Sequence, residues 1–79
     1  MLYKRKAKKN MKRVLIRLET ELLETKKRAL SYEQAAEKFS TGSASWREFK
    51  GIARHYEGVA LGLEIAIAAI EREGANDSN

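Results

Sequence analysis

The residues of this 79-residue chain that most often anchor covalent or metal chemistry are scarce. There is no Cys, and the single His is His55. A general base needs a pocket and an oriented partner. The sequence neighbours of His55 are Arg54, Tyr56 and Glu57, the setting of a surface or interface imidazole. Glu57, Glu64 and Glu71 recur every seven residues, two helical turns apart, so they do not converge as an i, i+3 or i+4 ligand pair and read as the solvated stripe of a helix. Nothing in the sequence assembles a nucleophile, a paired acid and base, or a metal site. The expectation is a non-enzyme, with no catalytic residue, cofactor, metal or small-molecule substrate.

The side chains that could bind something are cations. In Lys4-Arg5-Lys6-Ala7-Lys8-Lys9-Asn10-Met11-Lys12-Arg13, seven of ten residues are basic. The net charge of +5 is unevenly placed: residues 1–17 hold eight bases and no acid, whereas residues 18–79 hold eight bases and eleven acids, a net −3. Lys4, Arg5, Lys6, Lys8, Lys9, Lys12 and Arg13 are therefore candidates for binding phosphates or an acidic partner, with affinity that falls with salt. The bland alternative is a solvated tail that keeps a sticky helical protein soluble. Lys-rich runs contact phosphates without reading bases, and Tyr3 is the only aromatic nearby, which argues against a stacking platform for single strands. Cations at a helix N-terminus oppose its dipole, so this arm is expected to fray without a partner. Met11 is also a candidate alternative start, and removal of the first ten residues would bring the charge to zero.

The elements that position these residues follow from hydrophobic spacing. Met11, Leu15, Leu18, Leu22, Thr25, Ala29, Tyr32, Ala36 and Phe39 are spaced 4-3-4-3, the seam of a helix packed along its length on another. Ser40-Thr41-Gly42-Ser43-Ala44-Ser45 is a run of turn formers, and Ser45 with Glu48 fits a capping box. Trp46, Phe49, Ala53, Tyr56, Ala60, Leu63, Ile67 and Ile70 then mirror the first stripe. Gly74 is the expected C-terminal stop. The expected fold is all-α: an antiparallel two-helix hairpin with helices over about 10–39 and 46–73, a basic arm at 1–10, a hairpin body at 11–73 and a polar tail at 74–79. Its layers run from Phe39–Trp46 at the loop, through Tyr32–Ala53, Ala29–Tyr56 and Thr25–Ala60, to Leu15–Ile70. Lys26 should lie near Glu57 and Lys12 near Glu71.

The second helix carries more apolar surface than one partner covers. Leu61, Ile65 and Ala68 point away from the seam, and Gly58, Gly62, Ala66 and Ala69 form a small-residue flank beside Val59. A helix apolar nearly all round is buried nearly all round. The first helix adds Ile16, Leu23 and Leu30, one position off its seam. Chains this short commonly need help to bury enough surface, and with no Cys or metal site the remaining device is oligomerisation. The expected assembly is a homodimer forming a four-helix bundle through Gly58, Val59, Leu61, Gly62, Ile65, Ala66, Ala68 and Ala69.

The segment from Ser31 to Phe49 also resembles a helix-turn-helix DNA-binding motif. Ala36 stands at the small position of its first helix, Trp46 at the apolar position of its recognition helix, and Ser31 with Gln34 could cap a new helix. It departs from the motif where Ser40 replaces the usual turn Gly, where Thr41 replaces an apolar residue, and in the bulk of Trp46. The small, Lys-rich, two-helix plan resembles accessory proteins of phages and other mobile elements. No run is apolar enough to cross a bilayer, and the basic start lacks a signal-peptide core, so the expectation is a cytoplasmic protein without a membrane partner. The leading functional expectation is a self-associating module that docks onto another protein as regulator, adaptor or assembly component. The alternative is a nucleic-acid binder using the arm or the helix-turn-helix.

Overall fold

The computed structural model of the chain describes the backbone of residues 2–77 and the side chains of residues 9–74. Two helices make up the fold, α1 (Leu2–Ala36) and α2 (Ala44–Asp77). A helix of 35 residues is about 52 Å long. The Cα trace measures 60 × 16 × 12 Å, so helices of this length can only lie side by side, as an antiparallel hairpin. Ala, Leu, Glu, Lys and Arg dominate both segments and no Pro interrupts them, which is why the backbone stays helical for so long.

The seam follows the two mirrored stripes. Thr25, Ala29 and Ala36 are buried on α1, and Ala53, Ala60 and Ile67 on α2. The larger seam residues, Leu15, Leu18, Leu22 and Tyr32 facing Trp46, Phe49, Tyr56, Leu63 and Ile70, are half-buried. Tyr32 lies between Phe49 and Tyr56, with ring centroids at 6.1 and 5.6 Å. That position follows if Tyr32 sits opposite Ala53, the small residue between those two rings. Thr25 donates its hydroxyl to the Glu21 carbonyl at 2.7 Å, so the one buried polar side chain among the described residues is satisfied within its own helix. The Thr25–Ala60 layer is closed to solvent by its neighbours.

The ends of the helices differ from the sequence expectation. α1 begins at Leu2, so the helix takes in the basic arm. It ends at Ala36 rather than Phe39, because Lys38 N–H bonds the Ala35 carbonyl and Phe39 N–H the Ala36 carbonyl, the tighter i→i+3 pattern. Phe39 is thereby lifted out of the seam. It is exposed and stacks on Phe49 at 5.4 Å instead of pairing with Trp46. A turn from Ser40 to Ser43 reverses the chain, closed by Ser43 N–H to the Ser40 carbonyl at 3.0 Å, with Gly42 at φ 84°. The cap is Ser43, not Ser45: the Ser43 hydroxyl accepts the Trp46 N–H at 3.2 Å. Once the turn has reversed the chain at Gly42, Ala44 is already helical, and Glu48 lies too far along to reach back. α2 passes through Gly74 to Asp77, since Gly in a helix costs about 1 kcal/mol but does not by itself end one. Of the expected polar tail, residues 75–77 are helical and residues 78–79 lie outside the described residues.

The helix-turn-helix resemblance does not survive this geometry. No helix starts at Ser31; α1 is continuous through it to Ala36. The steep crossing that such a motif needs cannot be fitted into a rod of this cross-section.

The cross-helix ion pairs also depart in detail. Lys26 pairs with Glu64 at 3.2 Å, one heptad from the expected Glu57. Side chains lean toward the N-terminus of their own helix. In an antiparallel pair this brings Lys26 and Glu64 toward each other and carries Glu57 away. Lys50 Nζ donates to Glu33 Oε1 at 2.9 Å and lies 5.8 Å from the centroid of the Trp46 ring. Both pairs fall on the same flank of the seam.

These contacts order the expected costs. Ser43→Ala should destabilise the fold by about 1 kcal/mol, and Ser45→Ala by well under that. Urea titrations of both variants at one protein concentration would show it, and equal effects would contradict the Ser43 cap. Lys50→Ala should cost more than Lys26→Ala, because the Lys50 side chain is 27% exposed against 58% for Lys26 and exposed pairs contribute little.

Candidate association surface

The hairpin is amphipathic twice over. Its inner face forms the seam, while a second set of large apolar side chains faces outward. On α2, Val59 (42%), Leu61 (58%) and Ile65 (63%) are exposed. Gly58, Gly62, Ala68 and Ala69 are exposed beside them. Ala66 is the exception among the residues expected here: it is half-buried, whereas Val59, one heptad earlier, is exposed. The structure therefore brings the expected association residues together on one side of α2, with Ala66 turned partly inward. A Cβ built at Gly58 or Gly62 would meet nothing within 4 Å. Packing between α1 and α2 accordingly gives no reason for glycine at either position.

On α1, Ile16 (64%), Leu23 (55%) and Leu30 (58%) form an outward row at seven-residue spacing. Val14 is exposed as well, an apolar side chain that the sequence pattern did not single out. It precedes seam residue Leu15 by one position, and a wheel drawn about the seam would have flagged it. The charged flank runs between the outward row of α1 and Leu61 of α2, where the Lys26–Glu64 pair bridges the helices.

The basic end of α1 is the other candidate. Lys9, Lys12 and Arg13 are exposed. The side chains of Lys4, Arg5, Lys6 and Lys8 lie outside the described residues, although the helical backbone runs through them. The expected Lys12–Glu71 pair is absent from the ion pairs among the described residues, which all fall between Glu24 and Glu64. His55 is exposed, with its ring edge-on to Tyr56 at 5.5 Å. Among the described residues no group of three His, Cys, Asp or Glu side chains is placed to hold a metal ion, and no helix is long and apolar enough to cross a membrane.

Comparison with protein-family models, curated proteins and solved structures finds no match. Function must therefore be argued from the geometry of the chain itself.

Gly51 provides a reference for Gly62. Both sit in α2 with open space where a side-chain carbon would project, but Gly51 lies outside the apolar stretch. Gly51→Ala should stabilise the fold by about 1 kcal/mol through helix propensity alone. Gly62→Ala should give the same gain if nothing packs there and a smaller gain, or a loss, if a partner helix does. Thermal unfolding of the two variants at equal concentration reads the difference.

Proposed function

We propose that the chain is a self-associating helical interaction module, in which two hairpins join through the outer face of α2 as a four-helix bundle. The observation that carries this reading is the apolar outer face of α2, where Leu61 (58%) and Ile65 (63%) are exposed beside Gly58, Gly62 and Ala69. A helix that is apolar nearly all round is buried nearly all round.

The core supports the same reading. Among the described residues no large side chain is fully buried, and five of the six buried ones are Ala or Thr. Burial contributes about 25 cal/mol per Å² of apolar surface, so a seam whose large side chains are only half-buried is a weak source of stability. Covering Leu61 and Ile65 would add side chains worth about 1.5–3 kcal/mol each. Gly58 and Gly62 would let the partner backbone approach closely there, with two copies of one patch meeting about a two-fold axis. The row Ile16, Leu23 and Leu30 on α1 would then serve as the docking surface for another protein, which makes the module a regulator, adaptor or assembly component.

Sedimentation equilibrium tests the assembly. The expected mass is 18 kDa, twice the 9.0 kDa of one chain. Ile65→Glu should raise the dissociation constant at least tenfold, since it places an unpaired charge in the interface at a cost of about 1.4 kcal/mol or more. Gly62→Leu should weaken the assembly more than it reduces helicity. A wild-type mass of 9.0 kDa at micromolar concentration, with full helicity, would refute self-association.

A further inference from the structure

The basic end of α1 stands apart from self-association, because a single hairpin carries the same feature. Eight cations lie between Lys4 and Arg17 with no acid among them. The backbone there is continuous α-helix, so the segment spans about 20 Å at 1.5 Å per residue. That is one positive charge for roughly every 2.4 Å of helix axis, close to the density of duplex DNA, which carries one negative charge per about 1.7 Å.

Lys9, Lys12, Arg13 and Arg17 are exposed, and none takes part in an ion pair among the described residues. Glu71 and Glu73, near the end of α2, lie level with Lys12 in the mirrored register but form no ion pair among the described residues, and Glu64 is already engaged by Lys26. The mirrored register places Met11 opposite Gly74, so the first turns of α1 project beyond the end of α2 at Asp77. Like charges at i, i+4, such as Lys9 and Arg13, disfavour the helix, as do cations near its N-terminus. A polyanion lying along the segment relieves both penalties.

We infer that this end of α1 is a docking surface for duplex DNA, held through the phosphate backbone without base-specific contacts. A bilayer surface fits less well, because an interfacial helix needs a row of large apolar residues opposite its cations, and up to Arg17 the exposed large apolar side chains among the described residues, Val14 and Ile16, lie on different faces of the helix. Single strands are recognised through aromatic stacking, which the segment does not provide beyond Tyr3. Duplex RNA fits less well because its major groove is too narrow for a helix, whereas a helix in that of B-DNA reaches the phosphates of both walls without reading the bases.

The test is fluorescence anisotropy of a labelled 20-base-pair DNA duplex of arbitrary sequence, titrated with the full chain at several salt concentrations. Parallel arms use the same sequence as duplex RNA, a poly-glutamate peptide, and vesicles of mixed phosphatidylserine and phosphatidylcholine. The expected result is DNA binding whose logarithm falls linearly with log salt at a slope steeper than about −3, as for four or more neutralised phosphates. A scrambled duplex should bind within twofold. The triple variant Lys9→Gln, Lys12→Gln, Arg13→Gln should bind at least tenfold more weakly with circular dichroism unchanged. Salt-insensitive binding, an unaffected triple variant, or equal or tighter binding to RNA, poly-glutamate or vesicles would overturn the proposal. If the triple variant loses helicity, a truncation lacking residues 2–8 replaces it and should show the same loss.

Discussion

Everything in this protein depends on the seam between two long helices, because there is no third element to form an interior. Each helix can bury only a stripe, and the stripe must be dense. Density is achieved by placing rings against methyl groups: Tyr32 reaches between Phe49 and Tyr56 over Ala53, and buried Ala29, Ala36 and Ala60 allow the backbones to approach. Larger residues at those alanines would separate the helices, and smaller ones at the rings would leave voids.

A seam of this kind has a geometric consequence. Two parallel cylinders touch along a line, so most of each helix surface stays in contact with water however well the line is packed. Polar residues cover that surface on much of α1, and the charged flank of Lys26, Glu33, Lys50 and Glu64 closes one side of the seam. On α2 the covering gives out between Gly58 and Ala69, where only Glu64 interrupts the apolar and small residues. The proposed bundle is the arrangement that turns this deficit into a second seam. The basic end of α1 lies beyond the reach of that seam. Association and polyanion binding would therefore occupy different parts of the rod and need not compete.

The loop shows how local chemistry sets helix limits within a few residues. Hydrophobic spacing extends the first stripe to Phe39, yet hydrogen bonding ends α1 at Ala36, and the left-handed conformation of Gly42 then permits an immediate reversal. Ser43 has the right distance from Trp46 to cap, and Ser45, equally plausible by type, is already inside the helix. Periodicity reports which face a residue occupies. It does not report which of several nearby hydroxyls lands on the first free amide.

Much of this fold was legible in the residues alone, since a 4-3 repeat mirrored about a turn-forming run admits few arrangements other than an antiparallel hairpin. The faces were legible too: Leu61, Ile65, Ile16, Leu23 and Leu30 follow from their offset to the seam, because helical geometry assigns a direction to every position. What the tertiary structure decided was finer. It chose Glu64 over Glu57 for Lys26, because the lean of side chains in an antiparallel pair is a property of two helices together. It turned Ala66 partly inward, and it lifted Phe39 off the seam to stack on Phe49. It also carried α1 back to Leu2 through a run of like charges and α2 forward through Gly74. Composition placed the charge at one end of the chain. The continuity of the helix set it along one straight segment, and the length of α2 left the first turns of that segment without a neighbour.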